Sequence, residues 1–277
     1  MAGSYFVTGA AGLHPLAHAS GPWSDDMLHG RLLGALAARA VEALAGHADF
    51  VGARLTVDLF KAAPMEPVQV HTTLVREGRR IRVADATVHC AGHDVARASA
   101  VFLRRGPEPP GTVWRPERWV PPPPSSVPVL EPDAPAAGDG IGDGAGDGAG
   151  DGVEVPRWEF RPVEGGFASA ERTRLWSCEH GHLVDDEPLS PFVRAAISAD
   201  IASPLANSGD DGLHYINADY SLSLAREPRD RWIGLEVSQH LATGGVALGA
   251  CTLYDLDGPF ATSTAVALAN PPLRPQP

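Results

Sequence analysis

Apolar residues near the start of the chain recur every three or four positions and predict a long amphipathic helix. The apolar positions that share this spacing are Leu28, Leu32, Leu36, Ala40 and Leu44. Residues at this spacing gather on one face of a helix, and the charged residues Arg31 and Glu42 fall elsewhere. Asp25 or Asp26 is a candidate N-cap for this helix, and Gly46 is a candidate end.

Alternating apolar and polar residues follow and predict strands, because successive side chains of a strand point to opposite faces. In the first half they cover residues 54–60, 68–75, 81–90 and 95–104, after a leading strand around 5–7. The second half repeats this order with a strand near 167–176 and a helix from Ser190 to about Pro204. Its later strands are predicted at residues 214–225, 232–241, 246–254 and 260–268.

The two halves share a short sequence repeat. Residues 95–103 and 260–268 are identical at four of nine positions, at a constant offset of 165, and each follows a glycine turn. We interpret this repeat as an ancestral duplication that produced two similar lobes. The predicted fold is α+β, a double hotdog in which two long central helices are each wrapped by an antiparallel sheet. Two such sheets can pair edge to edge, which removes exposed edges.

Residues 107–156 interrupt the pattern with proline, glycine and aspartate. The glycine–aspartate tract superficially resembles calcium-binding repeats, but it lacks their aromatic and aliphatic positions. A flexible linker is expected, because such a segment buries too little apolar surface to offset its chain entropy. Trp114 and Trp119 suggest that its first part packs against a lobe. The predicted domains are therefore residues 1–106, a linker at 107–156, and residues 157–277 with the candidate site.

Composition and charge exclude several classes of function. The net charge of −12 argues against nucleic acid as the main partner. The three cysteines are widely spaced and form no CxxC pair, which fits a reducing cytoplasm without a disulfide framework or a zinc site. The sequence shows neither a signal peptide nor an apolar stretch approaching 18 residues, so we expect a cytoplasmic protein without a membrane span.

One carboxylate falls on the apolar face of the second predicted helix. Asp200 follows Val193 by seven residues, nearly two turns, and shares the stripe formed with Ile197 and Ile201. A carboxylate there must be hydrogen-bonded or protonated. It is either catalytic, facing the groove between the lobes, or a helix-end group that caps a loop or pairs with an arginine. The first helix has no matching carboxylate near residues 39–41, which favours one active site per chain.

Other polar residues offer weaker chemistry. Cys178, His180 and His182 lie close together beside Asp185 and Asp186, as in a cysteine nucleophile pair or a metal site. A short loop imposes no geometry on them, and no second ligand cluster appears. We therefore expect no metal and no cofactor. The sequence contains no GxSxG motif for a serine nucleophile.

Five segments carry a resemblance to a known family. They are Leu-His-Gly-Arg-Leu-Leu-Gly-Ala-Leu at 28–36, Glu-Pro-Leu-Ser-Pro at 187–191, Ser-Ala-Asp at 198–200, Tyr-Ile-Asn-Ala-Asp at 215–219 and Leu-Tyr-Asp at 253–255. In this order the chain resembles the acyl-CoA thioesterase II-like double-hotdog proteins, particularly their actinobacterial branch. The likeness covers both lobes and leaves out the linker.

The resemblance implies a catalytic set of an aspartate, a threonine or similar residue, and a glutamine that together orient a water. Asp200 matches the aspartate, and Asn217 falls at the threonine. Val266 stands at the glutamine and cannot hydrogen-bond to water, whereas Thr264 lies two residues away on the same strand face. Loss of such a polar partner commonly lowers the rate by two or more orders of magnitude.

The resulting hypothesis is hydrolysis of an acyl-CoA or carrier-bound acyl thioester, with Asp200 as general base and Asn217 beside it. His29 or Gly30, at the start of the first helix, is a candidate contact to the substrate oxyanion, and Thr264 and Val266 are assigned to substrate binding. Two alternatives stay open. One is dehydration, cyclisation, decarboxylation or acyl transfer on an acyl or polyketide-like intermediate, and the other is non-catalytic acyl binding. By analogy with related proteins, a homo-oligomer is expected.

Overall fold

The computed structural model describes residues 3–21, 24–130, 157–167 and 169–270. The glycine–aspartate tract, for which a flexible linker is predicted, lies outside these residues. The first half contains helix α1 (Gly30–Ala45) and eight strands. These are β1 (Ser4–Gly9), β2 (Gly12–Pro15), β3 (Ser20–Gly21), β4 (Ser24–Leu28), β5 (Phe50–Leu59), β6 (Val68–Glu77), β7 (Ile81–Cys90) and β8 (His93–Arg104).

The second half contains two short helices, α2 (Pro191–Ala199) and α3 (Ala202–Asn207), among ten strands. The strands are β9 (Trp158–Glu164), β10 (Arg174–Glu179), β11 (His182–Val184), β12 (Ser208–Gly209), β13 (Gly212–Leu213), β14 (Tyr215–Asn217), β15 (Asp219–Leu224), β16 (Trp232–Thr243), β17 (Val246–Asp255) and β18 (Gly258–Ala269).

One 14-stranded sheet carries both halves. Its order is β11-β1-β2-β6-β7-β8-β5-β15-β18-β17-β16-β10-β9, and β14 also pairs with β18. The halves join where β5 meets β15 in antiparallel register, for example Val57 opposite Tyr220. This is the edge-to-edge pairing that the double-hotdog interpretation anticipates.

The sequence repeat corresponds to structurally equivalent strands. Strand β8 lies between β7 and β5, and β18 lies between β17 and β15. Their exposure also repeats at the offset of 165: Ala98 and Ser263 are buried, while Arg97 and Thr262 are exposed. In both halves, therefore, equivalent positions of the duplicated segment face the helices.

Helix α1 confirms the first predicted helix and its end at Gly46, but it begins differently. His29 is the N-cap, and its Nδ1 accepts a hydrogen bond from the Arg31 amide at 3.3 Å. Asp25 and Asp26 lie in β4 instead, so the prediction that one of them caps the helix is wrong. Arg31 is buried, in contrast to the expectation that it falls off the apolar face.

The second central helix is shorter than predicted. The continuous helix expected from Ser190 to Pro204 ends at Ala199 and resumes at Ala202, so only the first half has a long central helix. Ser190 is the N-cap, and its hydroxyl accepts from the Val193 amide at 3.1 Å. The interruption follows from Pro204, which cannot donate to the carbonyl four residues earlier and clashes with it. That carbonyl belongs to Asp200.

Helices α1 and α2 pack against each other, with the last turns of α1 beside the start of α2. The Ser190 hydroxyl donates to Glu42 at 2.6 Å, and Arg39 pairs with Glu187 at 2.5 Å. Before α2, the chain also differs from prediction. Of the strand expected at 167–176, only residues 174–176 lie in a strand, the start of β10, and the sequence pattern does not predict β9.

The first part of the predicted linker partly packs on the second half. The Trp119 ring lies 6.2 Å from Trp176 and 5.3 Å from Tyr254, as expected for a packed segment. Trp114 is 83% exposed, so the same expectation is wrong for this residue. None of the described helices combines the length and apolar character needed to cross a membrane.

Candidate active site

Asp200 lies at the break between α2 and α3. Because Pro204 offers no amide hydrogen, the Asp200 carbonyl accepts instead from the Ser203 amide at 3.3 Å. The neighbouring Ala199 carbonyl accepts from the Ser263 hydroxyl of β18 at 2.8 Å. Two independent contacts therefore fix the backbone on which the carboxylate is carried.

The Asp200 carboxylate is buried and paired with an amide. Only 6% of the residue is exposed, and Oδ1 accepts from Asn217 Nδ2 at 2.8 Å. Burial raises the pKa of Asp200 to about 6, while the Asn217 hydrogen bond and the charge of Arg31 oppose this rise. A carboxylate with this pKa is charged at neutral pH and can still accept a proton.

Asn217 reaches Asp200 because the predicted strand 214–225 is interrupted at Ala218. The Ala218 amide donates to the Val266 carbonyl, and the pairing with β18 shifts register between β14 and β15. Asn217 ends β14 opposite Ala267, whereas Asp219 begins β15 and accepts from the Val266 amide at 2.8 Å. Asp219 thus has a structural role on the other face of the strand.

The start of α1 carries Arg31, whose charge influences Asp200, and the neighbouring His29. Arg31 donates to Glu179 at 2.5 Å and to the Tyr5 hydroxyl at 2.9 Å, and its guanidinium lies 3.7 Å from the Trp158 ring centroid. Burial, followed by the charge of Arg31, holds the pKa of His29 well below its usual range. The imidazole is therefore neutral, and His29 accepts hydrogen bonds from the Arg31 amide at its Nδ1 and from the Leu32 amide at its carbonyl.

Sequence reasoning missed Tyr220, which faces the same region. Tyr220 is fully buried on β15, and its pKa is raised well above the usual range by burial and then by the charge of Asp200. A Cβ at Gly34 would lie only 2.1 Å from the Tyr220 oxygen, so the glycine leaves room for the phenol. The available signal was strand alternation, which places Tyr220, Leu222 and Leu224 together on the inner face.

The structure does not bring Thr264 and Val266 to Asp200. Both are exposed on β18 and alternate with the buried residues Ser263, Ala265 and Ala267. The hydrogen bond from Ser263 to α2 identifies the buried residues as the helix-facing set. By alternation, Thr264 and Val266 point to the opposite side of the sheet. Their sequence assignment to substrate binding therefore has no geometric support at the carboxylate.

The group formed by Cys178, His180 and His182 does not form a nucleophile pair. Cys178 is buried in β10, and burial raises the pKa of its thiol. His180 contacts Glu159 at 3.0 Å and Arg231 at 2.7 Å instead. Across residues 3–21, 24–130, 157–167 and 169–270, no three His, Cys, Asp or Glu side chains are grouped to hold a metal ion.

A cleft of about 590 Å³ lies between the end of α3 and β16. Leu205, Asn207, Tyr215 and His240 are among its lining residues. His240 Nδ1 lies 3.0 Å from Asn207 Oδ1 at its wall. Asp200 does not line this cleft, although Leu205 and Tyr215 belong to the two segments that carry Asp200 and Asn217. Asp200 itself is buried.

Solved structures with the same fold include several thioesterase-like proteins. A hot dog fold protein of unknown function from Alicyclobacillus acidocaldarius is 20% identical, with a TM-score of 0.64, over 94% of this chain and 92% of that one. The tesB protein of Mycobacterium avium subspecies paratuberculosis is 17% identical, with a TM-score of 0.63, over 89% of each chain. A putative thioesterase II from Thermobifida fusca is 14% identical, with a TM-score of 0.64, over 88% and 87%. These similarities establish the hotdog fold.

Sequence comparison with protein families gives two matches in chain order. The acyl-CoA thioesterase N-terminal domain matches residues 19–103, and the acyl-CoA thioesterase C-terminal domain matches residues 124–269. Comparison with curated protein sequences gave no match. Because the two family matches together span most of the chain, the protein belongs to the acyl-CoA thioesterase family and is a hydrolase of acyl thioesters.

Proposed function

We propose that this protein hydrolyses acyl-CoA thioesters with Asp200 as the general base. The observation that carries the proposal is the hydrogen bond from Asn217 to the buried Asp200 carboxylate. It fixes one carboxylate oxygen and leaves the other for a water molecule. A buried carboxylate with a raised pKa and a specific partner is typical of catalytic sites.

In this proposal a water molecule lies between Asp200 Oδ2 and the thioester carbonyl carbon. Asp200 takes a proton as the water oxygen attacks, and a tetrahedral intermediate forms. When the intermediate collapses, the carbon–sulfur bond breaks and the thiol leaves with the proton held by Asp200. The products are a carboxylic acid and free coenzyme A, and the carboxylate is regenerated.

The start of α1 would receive the developing oxyanion. Helix N-terminal amides lack intrahelical partners and stabilise negative charge. We assign this contact to the Gly30 amide, with the neutral imidazole of His29 beside it. Arg31, held by Glu179 and Tyr5, adds a positive charge whose influence reaches Asp200.

A second candidate function is favoured by the inner face of β18. The resemblance expects a third polar partner at position 266, but Val266 is apolar and exposed. The residues on either side of it that face the helices are Ala265 and Ala267, and the Ser263 hydroxyl is bound to the Ala199 carbonyl. Without that partner, Asp200 is also suited to moving a proton of the substrate itself. Dehydration, cyclisation, decarboxylation or acyl transfer on an acyl or polyketide-like intermediate would use it in this way.

Thiol release from acyl-CoAs of increasing chain length, followed with a thiol reagent, tests the leading proposal. Asp200→Asn should lower kcat by at least 100-fold, whereas Asp219→Asn, which keeps an acceptor for Val266, should retain activity. Parallel assays with acyl carrier protein thioesters identify the carrier. Unchanged thiol release by Asp200→Asn would remove the carboxylate from the mechanism. No release from any thioester, with a new product mass instead, would favour the second candidate.

A further inference from the structure

We propose that Tyr220 is a catalytic residue of this site and donates its phenolic hydrogen to the carbonyl oxygen of the thioester. The inference deepens the proposed function and rests on it, because it places the reacting carbonyl beside Asp200. Nothing in the aspartate, threonine and glutamine set implied by the family resemblance anticipates a tyrosine here.

The first argument is the unused hydroxyl. Tyr220 is fully buried, yet among the residues that the structure describes its oxygen has no hydrogen-bond partner. Buried hydroxyls are normally paired, and an unpaired one destabilises the fold. The buried hydroxyls of Tyr5 and Tyr254 follow that rule, since they donate to Glu179 and Glu236. A purely structural position would be filled better by phenylalanine.

The second argument is the position of the phenol. Tyr220 extends from β15 toward α1, and its oxygen occupies the space that a side chain at position 34 would take. Gly34 lies one turn after Gly30, where we place the oxyanion contact. The phenol therefore lies within about one helical turn, roughly 6 Å, of the helix start, and in the proposal both groups donate to the same oxygen.

The third argument is the relation to Asp200. The carboxylate is close enough to influence the titration of Tyr220, but no hydrogen bond joins the two groups. A reacting carbonyl with its attacking water would fit this relation, with the water on Asp200 and the oxygen on Tyr220. Because the phenol remains protonated, it acts as a donor throughout the reaction.

The proposed step changes no covalent bond of the tyrosine. Its hydrogen bond is weak to the neutral thioester and stronger to the tetrahedral oxyanion, so the contact lowers the barrier more than it tightens binding. When the intermediate collapses, the oxygen becomes a carbonyl again and the phenol keeps its proton. Tyr220 would thus compensate for the polar partner that β18 does not supply.

The test compares Tyr220→Phe with Tyr254→Phe in the full chain. Tyr220→Phe should lower kcat about 100-fold, with little change in KM and an unchanged or higher Tm. Tyr254→Phe loses a buried hydrogen bond away from the site, so its Tm should fall while kcat stays near wild type. If Tyr220→Phe has the kcat of the wild type while Asp200→Asn is inactive, this inference is wrong and the proposed function is unaffected.

A binding measurement separates the two proposals further. The probes are an acyl-CoA analogue with methylene in place of sulfur, which keeps the carbonyl, and a thioether analogue, which lacks it. Tyr220→Phe should weaken binding of the ketone about threefold, as expected for one weak hydrogen bond to a neutral carbonyl, and leave the thioether unchanged. Equal affinities of wild type and variant for the ketone would contradict the contact. If the wild type does not hydrolyse thioesters but still binds the ketone more tightly than Tyr220→Phe does, only the proposed function is contradicted.

Discussion

Asn217 donates a hydrogen bond of 2.8 Å to the buried carboxylate of Asp200 and so joins the end of β14 to the break between α2 and α3. Each of the two residues lies at an interruption of regular secondary structure. Asp200 stands where Pro204 breaks a helix, and Asn217 stands where Ala218 breaks a strand. The pair therefore depends on two local departures from regular structure that meet in space.

Removing the amide should shift the pH dependence of activity. The Asn217 hydrogen bond favours the charged carboxylate and holds the pKa of Asp200 down to about 6. In Asn217→Ala that pKa should rise, so the acidic limb of the kcat profile should move to higher pH. Activity at pH 6 should fall more than activity at pH 8. A profile that drops equally at all pH values would indicate that Asn217 contacts substrate or water without tuning the carboxylate.

Burial of Asp200 should also appear in the pH dependence of stability. The pKa of its carboxyl is about 6 in the folded chain and 3.8 in the reference state, so the folded protein holds the proton more tightly. The stability contributed by this group is present below about pH 4 and is lost as the pH rises through 6. The shift corresponds to roughly 3 kcal/mol.

Asp200→Asn provides the measurement for that expectation. The amide stays neutral, and its oxygen can still accept from Asn217. At pH 8 the free energy of unfolding of the variant should exceed that of the wild type by about 2 to 3 kcal/mol, and the two should converge near pH 4. Denaturant unfolding at both pH values is sufficient. A variant that is less stable at pH 8 would show that the charged carboxylate has a stabilising partner.

Restoring the helix at Asp200 should impair catalysis without unfolding the protein. In Pro204→Ala the new amide can donate to the Asp200 carbonyl, so the break between α2 and α3 can close. We expect kcat to fall about tenfold or more as the carboxylate moves, because small misplacements at catalytic groups are costly. Pro191→Ala is the matched control, since proline at the first helical position replaces no intrahelical hydrogen bond. Full activity of Pro204→Ala would show that catalysis does not depend on the break between α2 and α3.

The sequence patterns predicted the regular parts of this fold better than its interruptions. Alternation gave the bounds of β7 correctly as 81–90, because its neighbours in the sheet are also strands with one buried face. The seven-residue spacing from Val193 anticipated the burial of Asp200. Both rest on local periodicity, which a buried face imposes on every element that packs against it.

The features that the local patterns do not predict depend on interactions between residues that are distant in the sequence. The pattern predicts a helix that ends near Pro204, although this proline interrupts the helix four residues earlier, at the Asp200 carbonyl. The motif places Val266 at the substrate site, whereas buried and exposed residues alternate in β18 as they do in β8 and leave Val266 exposed. The role of Tyr220 depends on Gly34, which lies 186 residues away in the sequence. No local pattern connects those two positions.

A methyl group at position 34 tests that connection directly. In Gly34→Ala the new Cβ would lie 2.1 Å from the Tyr220 oxygen and 2.9 Å from its Cζ, so the phenol must move away from α1. We expect kcat to fall by about the same factor as in Tyr220→Phe and the protein to lose about 1 to 3 kcal/mol of stability from overpacking. Ala38→Gly, at another buried position of α1, is the control for helix effects, since it changes propensity by about 1 kcal/mol without adding a clash. The double variant Gly34→Ala with Tyr220→Phe lacks the phenol oxygen that makes the shortest contact with the new methyl group. Its stability should therefore be higher than that of Gly34→Ala alone, while its activity stays low. Additive losses of stability in that double variant would show that the glycine and the phenol act independently.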